Sequence, residues 1–114
     1  MNTTDSLVLA KLARQALIDK KAVDPVVLDV RRLSSVADFY LIATGSSAPH
    51  LKAIGEELHH KLQTAHLTRN RRSGEANSGW LVVDCGHIIV HLFLPHTREY
   101  YALEELWSDA PRVK

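Results

Sequence analysis

The chain is poor in the features that fasten small secreted domains or anchor membrane proteins. Its single cysteine, Cys85, has no second thiol for an internal disulfide, so no covalent framework is available and a reducing, cytoplasmic setting is expected. No apolar run approaches the ~20 residues a membrane helix needs; the longest, 88–94, is interrupted by His91. The N-terminus lacks a positive flank followed by an apolar stretch, and Asp5 and Asp19 argue against an organellar presequence. An excess of one charge is also missing. Fourteen Lys and Arg stand against 13 Asp and Glu, so any grip on nucleic acid must come from a local patch rather than from the whole molecule's field. Neither a P-loop nor a dinucleotide fingerprint occurs.

What is present is enough apolar material for one core: 114 residues, 46% hydrophobic, within the ~100–150 residues common for a single domain. After the cap-type residues Thr4, Asp5 and Ser6, the residues Leu9, Ala10, Ala13, Ala16 and Leu17 recur at helical spacing. Lys20 and Lys21 suit the negative end of that helix, and Asp24-Pro25 is expected to end it before a strand at 26–30. The almost wholly apolar segment 38–44 predicts a strand covered on both faces and placed centrally. Gly45-Ser46-Ser47 then turns the chain, Ser47 caps, and Leu51, Ile54, Leu58, Leu62 and Ala65 form the stripe of a second helix.

Residues 68–79 lose periodicity. Arg69, Arg71 and Arg72 lead into Ser73-Gly74-Glu75 and further polar residues, which predicts a mobile basic loop. Beyond it, 80–84 and 88–94 are rich in β-branched residues around Cys85-Gly86, the composition of a tight antiparallel hairpin. Thr97 is expected to cap a last helix in which Tyr100, Leu103 and Trp107 share a face, and the tail after Trp107 to fray. These elements make a single α/β (α+β) domain over residues 1–114, a mixed sheet with packed helices.

The chemically active side chains do not assemble into a reaction centre on paper. His59 and His60 point different ways on a helix, and His87 and His91 lie about 13 Å apart on a strand, so no metal or other cofactor is expected. Cys85 reads as a small turn residue and His91 as a hydrogen-bonded core histidine. The Gly45-Ser46-Ser47 turn at a helix start is better read as a cap than as a phosphate cradle. Arg69, Arg71 and Arg72 lack interleaved aromatics for stacking on bases, which weakens a general RNA-binding module as the function. Trp80, Tyr100, Tyr101 and Trp107 belong either to the core or to an interface, and adjacent Tyr100 and Tyr101 cannot both face inward.

Several blocks in order resemble one family: Ser35-Val36-Ala37-Asp38-Phe39-Tyr40, Ile42-Ala43-Thr44-Gly45-Ser46-Ser47, Trp80-Leu81-Val82-Val83-Asp84 with Gly86, and Val90-His91-Leu92-Phe93-Leu94-Pro95 followed by residues 98–107. The chain is similar to the ribosomal silencing factors (Iojap-like proteins) over about residues 7–107, with 108–114 as a tail. The match leaves no room for a cleaved presequence, which points to a bacterial protein.

The resemblance implies a nucleotidyltransferase-like fold without the enzyme's activity, since Asp29, Asp38 and Asp84 fall on separate predicted strands with no paired Asp-x-Asp. It also implies a homodimer when free, and binding to large-subunit ribosomal protein fourteen at the intersubunit face. Covering that face would bar the small subunit and damp translation when nutrients are short. The docking residues expected from the matching blocks are Trp80, Asp84, His91, Arg98 and Tyr101, forming or supporting the surface, with Glu75 at its rim and a peripheral ribosomal RNA contact beside it. The chain departs from the family at His87, where an aspartate is usual, and at Ser73-Gly74, where Glu-Gly is; His87 could lend partner binding a pH dependence.

Overall fold

The computed structural model describes residues 6–64 and 71–113. Two helices come early, α1 (Ser6–Asp19) and α2 (Ala48–Thr64), and five strands make one sheet: β1 (Val23–Asp29), β2 (Phe39–Thr44), β3 (Arg71–Glu75), β4 (Trp80–Asp84) and β5 (Ile88–Phe93). The sheet order is β1-β2-β5-β4-β3, with β2 and β5 parallel and the other neighbours antiparallel. Short helices α3 (Pro95–Tyr101) and α4 (Leu103–Leu106) follow. The single mixed sheet with packed helices is the architecture the hydrophobic pattern predicts.

Alternation along the strands divides the core into two layers. Phe39, Leu41, Ala43, Val83, Ile88, Val90 and Leu92 lie under α1 and α2, against the helical stripes Leu9, Ala10, Ala13, Ala16, Leu17 and Leu51, Ile54, Leu58, Leu62, all buried. Ala65 and the caps Thr4 and Asp5 lie outside the described residues. The opposite face carries Val26, Leu28, Ile42 and Phe93, over which Ala110, Leu103 and Trp107 fold. β2 is therefore covered on both faces as its composition demands, although β5 takes the middle position of the sheet. Among the described residues, no helix is long and apolar enough to cross a membrane.

Several expectations are corrected by tertiary context. The segment 71–75 is not a loop but the edge strand β3, all five residues exposed, followed by a 3-10 turn at Ala76–Ser78. A strand needs no apolar face where a neighbour, here β4, supplies a template of backbone donors and acceptors. Arg69 lies outside the described residues. β1 begins at Val23 and runs through Pro25, because Asp24 takes a left-handed φ of 49° and the register shifts between Val23 and Val26; an edge position tolerates the missing N–H. α1 has already closed at Asp19, with Lys21 left-handed and the Ala22 N–H bonded to the Leu17 carbonyl.

The C-terminal part departs from expectation as well. Thr97 is not a cap: α3 starts with Pro95 as its first residue, and the Thr97 hydroxyl donates to the carbonyls of Gly79 and Leu94. Ala102, at φ 47°, breaks the expected helix in two, so Leu103 and Trp107 turn onto the sheet while Tyr100 stays 80% exposed. The tail does not fray. Asp29 N–H donates to the Pro111 carbonyl and Val113 N–H to the Val27 carbonyl, so the chain end borders the outer edge of β1.

Candidate protein-docking face

Register across the sheet fixes which side chains stand together. On the face away from α1 and α2, Arg71, Asp84, Ile89, Tyr40 and Leu28 form one row across the five strands, and Ser73, Val82, His91, Ile42 and Val26 form the next. A third row carries Glu75, Trp80, Phe93 and Thr44. Glu75, Trp80, Asp84 and His91, far apart in sequence, thus share one face. The tail, α4 and Trp107 cover its β1–β2 side. Its β4–β5 side is left half-open, with Tyr40, Trp80, Val82, Ile89 and His91 all partly exposed.

Aromatic rings run through this opening. Tyr101, 45% exposed, lies with its centroid 4.4 Å from Trp80, which contacts the buried Phe93 at 5.3 Å. Trp80 and His91 are 6.0 Å apart, Tyr40 meets His91 edge-on at 5.5 Å, and Tyr40 meets Trp107 edge-on at 5.1 Å. Such pairs contribute about 0.5–1.5 kcal/mol each beyond their burial, which holds the surface in one shape. Tyr100, 80% exposed and edge-on to Tyr101 at 5.0 Å, extends the aromatic area beyond it.

His91 is the polar member of this layer. The Trp80 indole N–H donates to its Nδ1 across 3.2 Å, and burial drops its pKa to about 4, so the imidazole is neutral with its proton on Nε2. Asp84 has a local task as well: its Oδ1 accepts the Gly86 N–H at 2.9 Å, closing the hairpin turn in which Gly86 takes a φ of 84°. Its carboxylate nevertheless remains exposed at the margin.

Arg98 stands behind the face rather than on it. With its side chain 11% exposed, it donates to Glu104 at 2.9 and 3.2 Å and to Thr44 Oγ1 at 2.9 Å. A weaker pair reaches Asp24 at 3.4 Å. These bonds tie α3 and α4 to the ends of β1 and β2 and so set where Tyr101 lies. The guanidinium holds the Glu104 carboxyl below its ordinary range.

Other candidate chemistry is occupied by structure. Ser47 Oγ accepts the His50 N–H, His50 Nδ1 accepts the Ser46 N–H, and His50 Nε2 meets the Lys20 carbonyl at 2.7 Å, so the turn before α2 is a capped, strapped joint. Asp29 pairs with Arg31 at 2.7 Å, Asp38 lies 3.9 Å from His87, and Asp84 serves its turn. The three carboxylates are spoken for separately, and no group of three metal-binding side chains occurs among the described residues. Cys85 is buried, its thiol pushed up to about 12 by burial and by the Asp84 charge.

Tyr40, Val82 and Ile89 also line the opening, beyond the residues expected from the matching blocks. Their signal was available in strand alternation, which places Val82 beside Trp80 and Asp84, but cross-strand pairing was needed to add Tyr40 and Ile89.

Comparison with known proteins gives the chain a family. Residues 3–114 match the family described as ribosomal silencing factor during starvation. The ribosomal silencing factor RsfS of Halalkalibacterium halodurans is 40% identical over 106 residues, covering 93% of this chain and 91% of that protein. The Bacillus subtilis RsfS is 37% identical over 103 residues, covering 90% of this chain and 87% of its own. An X-ray structure of a Chromobacterium violaceum protein superposes with a TM-score of 0.84 at 36% identity, covering 90% of this chain and 85% of the other. On this evidence the chain belongs to the ribosomal silencing factor family.

Proposed function

We propose that the half-open sheet face docks on large-subunit ribosomal protein fourteen at the intersubunit surface, sterically blocking subunit joining and repressing translation under nutrient limitation. The observation that carries this reading is the aromatic layer led by Tyr101 over Trp80 at 4.4 Å, partly exposed and rimmed by Glu75 and Asp84. Aromatic anchors with a polar rim are the anatomy of a protein–protein hot spot. The acidic rim complements a basic ribosomal surface and speeds encounter. His91, held neutral, adds no buried charge that docking would have to desolvate.

The protein acts by occupancy, not by turnover: Asp29, Asp38 and Asp84 are engaged separately, away from any shared metal position. In the free state it is a homodimer, and it works in the cytoplasm. Arg71 and Arg72 lie on the exposed edge strand beside the face and meet ribosomal RNA only peripherally. RNA binding as the main function has less support, because Glu75 shares that five-residue edge and no aromatic interleaves with it.

The test is a pull-down of this protein with isolated ribosomal protein fourteen in the absence of RNA. Retention of the ribosomal protein is expected. Binding only to RNA, with a steep salt dependence, contradicts the reading.

A further inference from the structure

One polar group on the aromatic face is left with a bond to make. His91 Nδ1 accepts the Trp80 indole N–H at 3.2 Å, so that nitrogen is unprotonated and the ring carries its proton on Nε2. The two ring nitrogens diverge, which directs Nε2–H away from Trp80. Among the described residues nothing accepts it. The Tyr40 ring, edge-on to His91 at 5.5 Å, offers at most a weak N–H···π contact.

The surroundings explain the missing acceptor. Register places Val82 on one side of His91 and Ile42 on the other, both hydrocarbon, and the diagonal neighbours Trp80, Phe93 and Tyr40 are aromatic. Val90 and Leu92, which flank it in β5, are fully buried on the opposite face of the sheet. Turning the ring over to seek another acceptor would forfeit the indole bond. A half-buried N–H is ordinarily paired, because losing hydration without gaining an acceptor is unfavourable. His91 is thus an oriented donor in the half-open part of the face, held in one tautomer by Trp80.

The acceptor that suits it is uncharged. In the rows on either side, the charged side chains are Glu75, Asp84 and, on the edge strand, Arg71. With two carboxylates against one guanidinium, an arriving carboxylate meets net repulsion and a carbonyl oxygen does not.

We infer that His91 is the specificity-determining residue of the docking face, its Nε2–H donating to a neutral carbonyl oxygen that the partner protein presents there. This rests on the docking reading above and goes beyond it by naming the atom the partner must bring. Trp80 then acts twice, as an anchor and as the group that fixes the histidine tautomer. A surface offering only hydrocarbon at that point would bury the donor unpaired, which is how a site built to donate rejects a look-alike.

Calorimetric titration of the full chain with isolated ribosomal protein fourteen tests it, with circular dichroism to show that each variant is folded. His91→Gln, whose amide both accepts from Trp80 and donates, is expected to bind within about threefold of the wild type, whereas His91→Phe, which fills the aromatic layer without a donor, weakens binding about tenfold or more. Nuclear magnetic resonance of the isotope-labelled wild type gives a second readout. The His91 Nε2–H proton exchanges with water in the free chain, and in the complex it becomes protected and shifts downfield, a change that a purely structural role would not produce. A wild-type complex whose Nε2–H stays in exchange with water, or a folded His91→Phe that binds as tightly as the wild type, overturns the donor and leaves the docking face standing. A wild-type chain that does not bind overturns both.

Discussion

Trp80 and His91, neighbours on β4 and β5, are joined by an indole N–H donating to imidazole Nδ1 across 3.2 Å. That bond requires a neutral ring, and burial supplies one by lowering the His91 pKa to about 4. The unfolded chain takes up a proton near pH 6.5 and the folded one does not. Stability from this residue is therefore complete above about pH 6.5, declines as pH falls, and levels off below about pH 4.

Urea unfolding between pH 7 and 4 is expected to show this loss, about 2 kcal/mol once the ring's partial exposure is allowed for. His91→Gln keeps an acceptor for the indole and cannot titrate, so its stability should decline less over the same range. Parallel wild-type and variant curves would contradict the assignment.

Arg98 and Glu104 should act as one unit that positions Tyr101. Arg98→Ala and Glu104→Ala should each destabilise the fold, with a double-mutant coupling of about 1 kcal/mol or more, above that of most exposed pairs. The depressed Glu104 carboxyl makes this contribution complete above its unfolded value and lost as pH falls through the folded one. Additive single effects would place Arg98 outside this role.

Cys85 should be inert in the folded protein. Its burial and a thiol pushed up to about 12 leave little thiolate at neutral pH. Labelling by a thiol-specific disulfide reagent should be negligible in buffer and rapid in denaturant. Fast labelling of the native state would show the turn open.

Periodicity revealed the helices because α1 and α2 each bury one stripe, and Leu9, Ala13, Leu17 and Leu51, Ile54, Leu58, Leu62 carry it plainly. The hairpin was legible in the same way from 80–84 and 88–93. β3 was not, since Arg71 to Glu75 bury nothing and owe their shape to β4. Nor was the break at Ala102, where a left-handed alanine has no signature of its own and follows from packing Leu103 and Trp107 on the sheet. Of the candidate face, Trp80, Asp84 and their shared side are readable from alternation within β4. Tyr40 and Ile89 joined it only through the parallel register of β2 with β5.

The central claim rests on Trp80 and Tyr101 and is tested most directly by co-sedimentation with purified large ribosomal subunits. Trp80→Ala removes the anchor, while Tyr101→Ala removes a side chain 45% exposed and spares the buried core. Each is expected to weaken binding about 30-fold or more, as loss of a hot-spot residue does, with circular dichroism unchanged for Tyr101→Ala. If both variants fold and sediment with large subunits as the wild type does, the docking surface lies elsewhere.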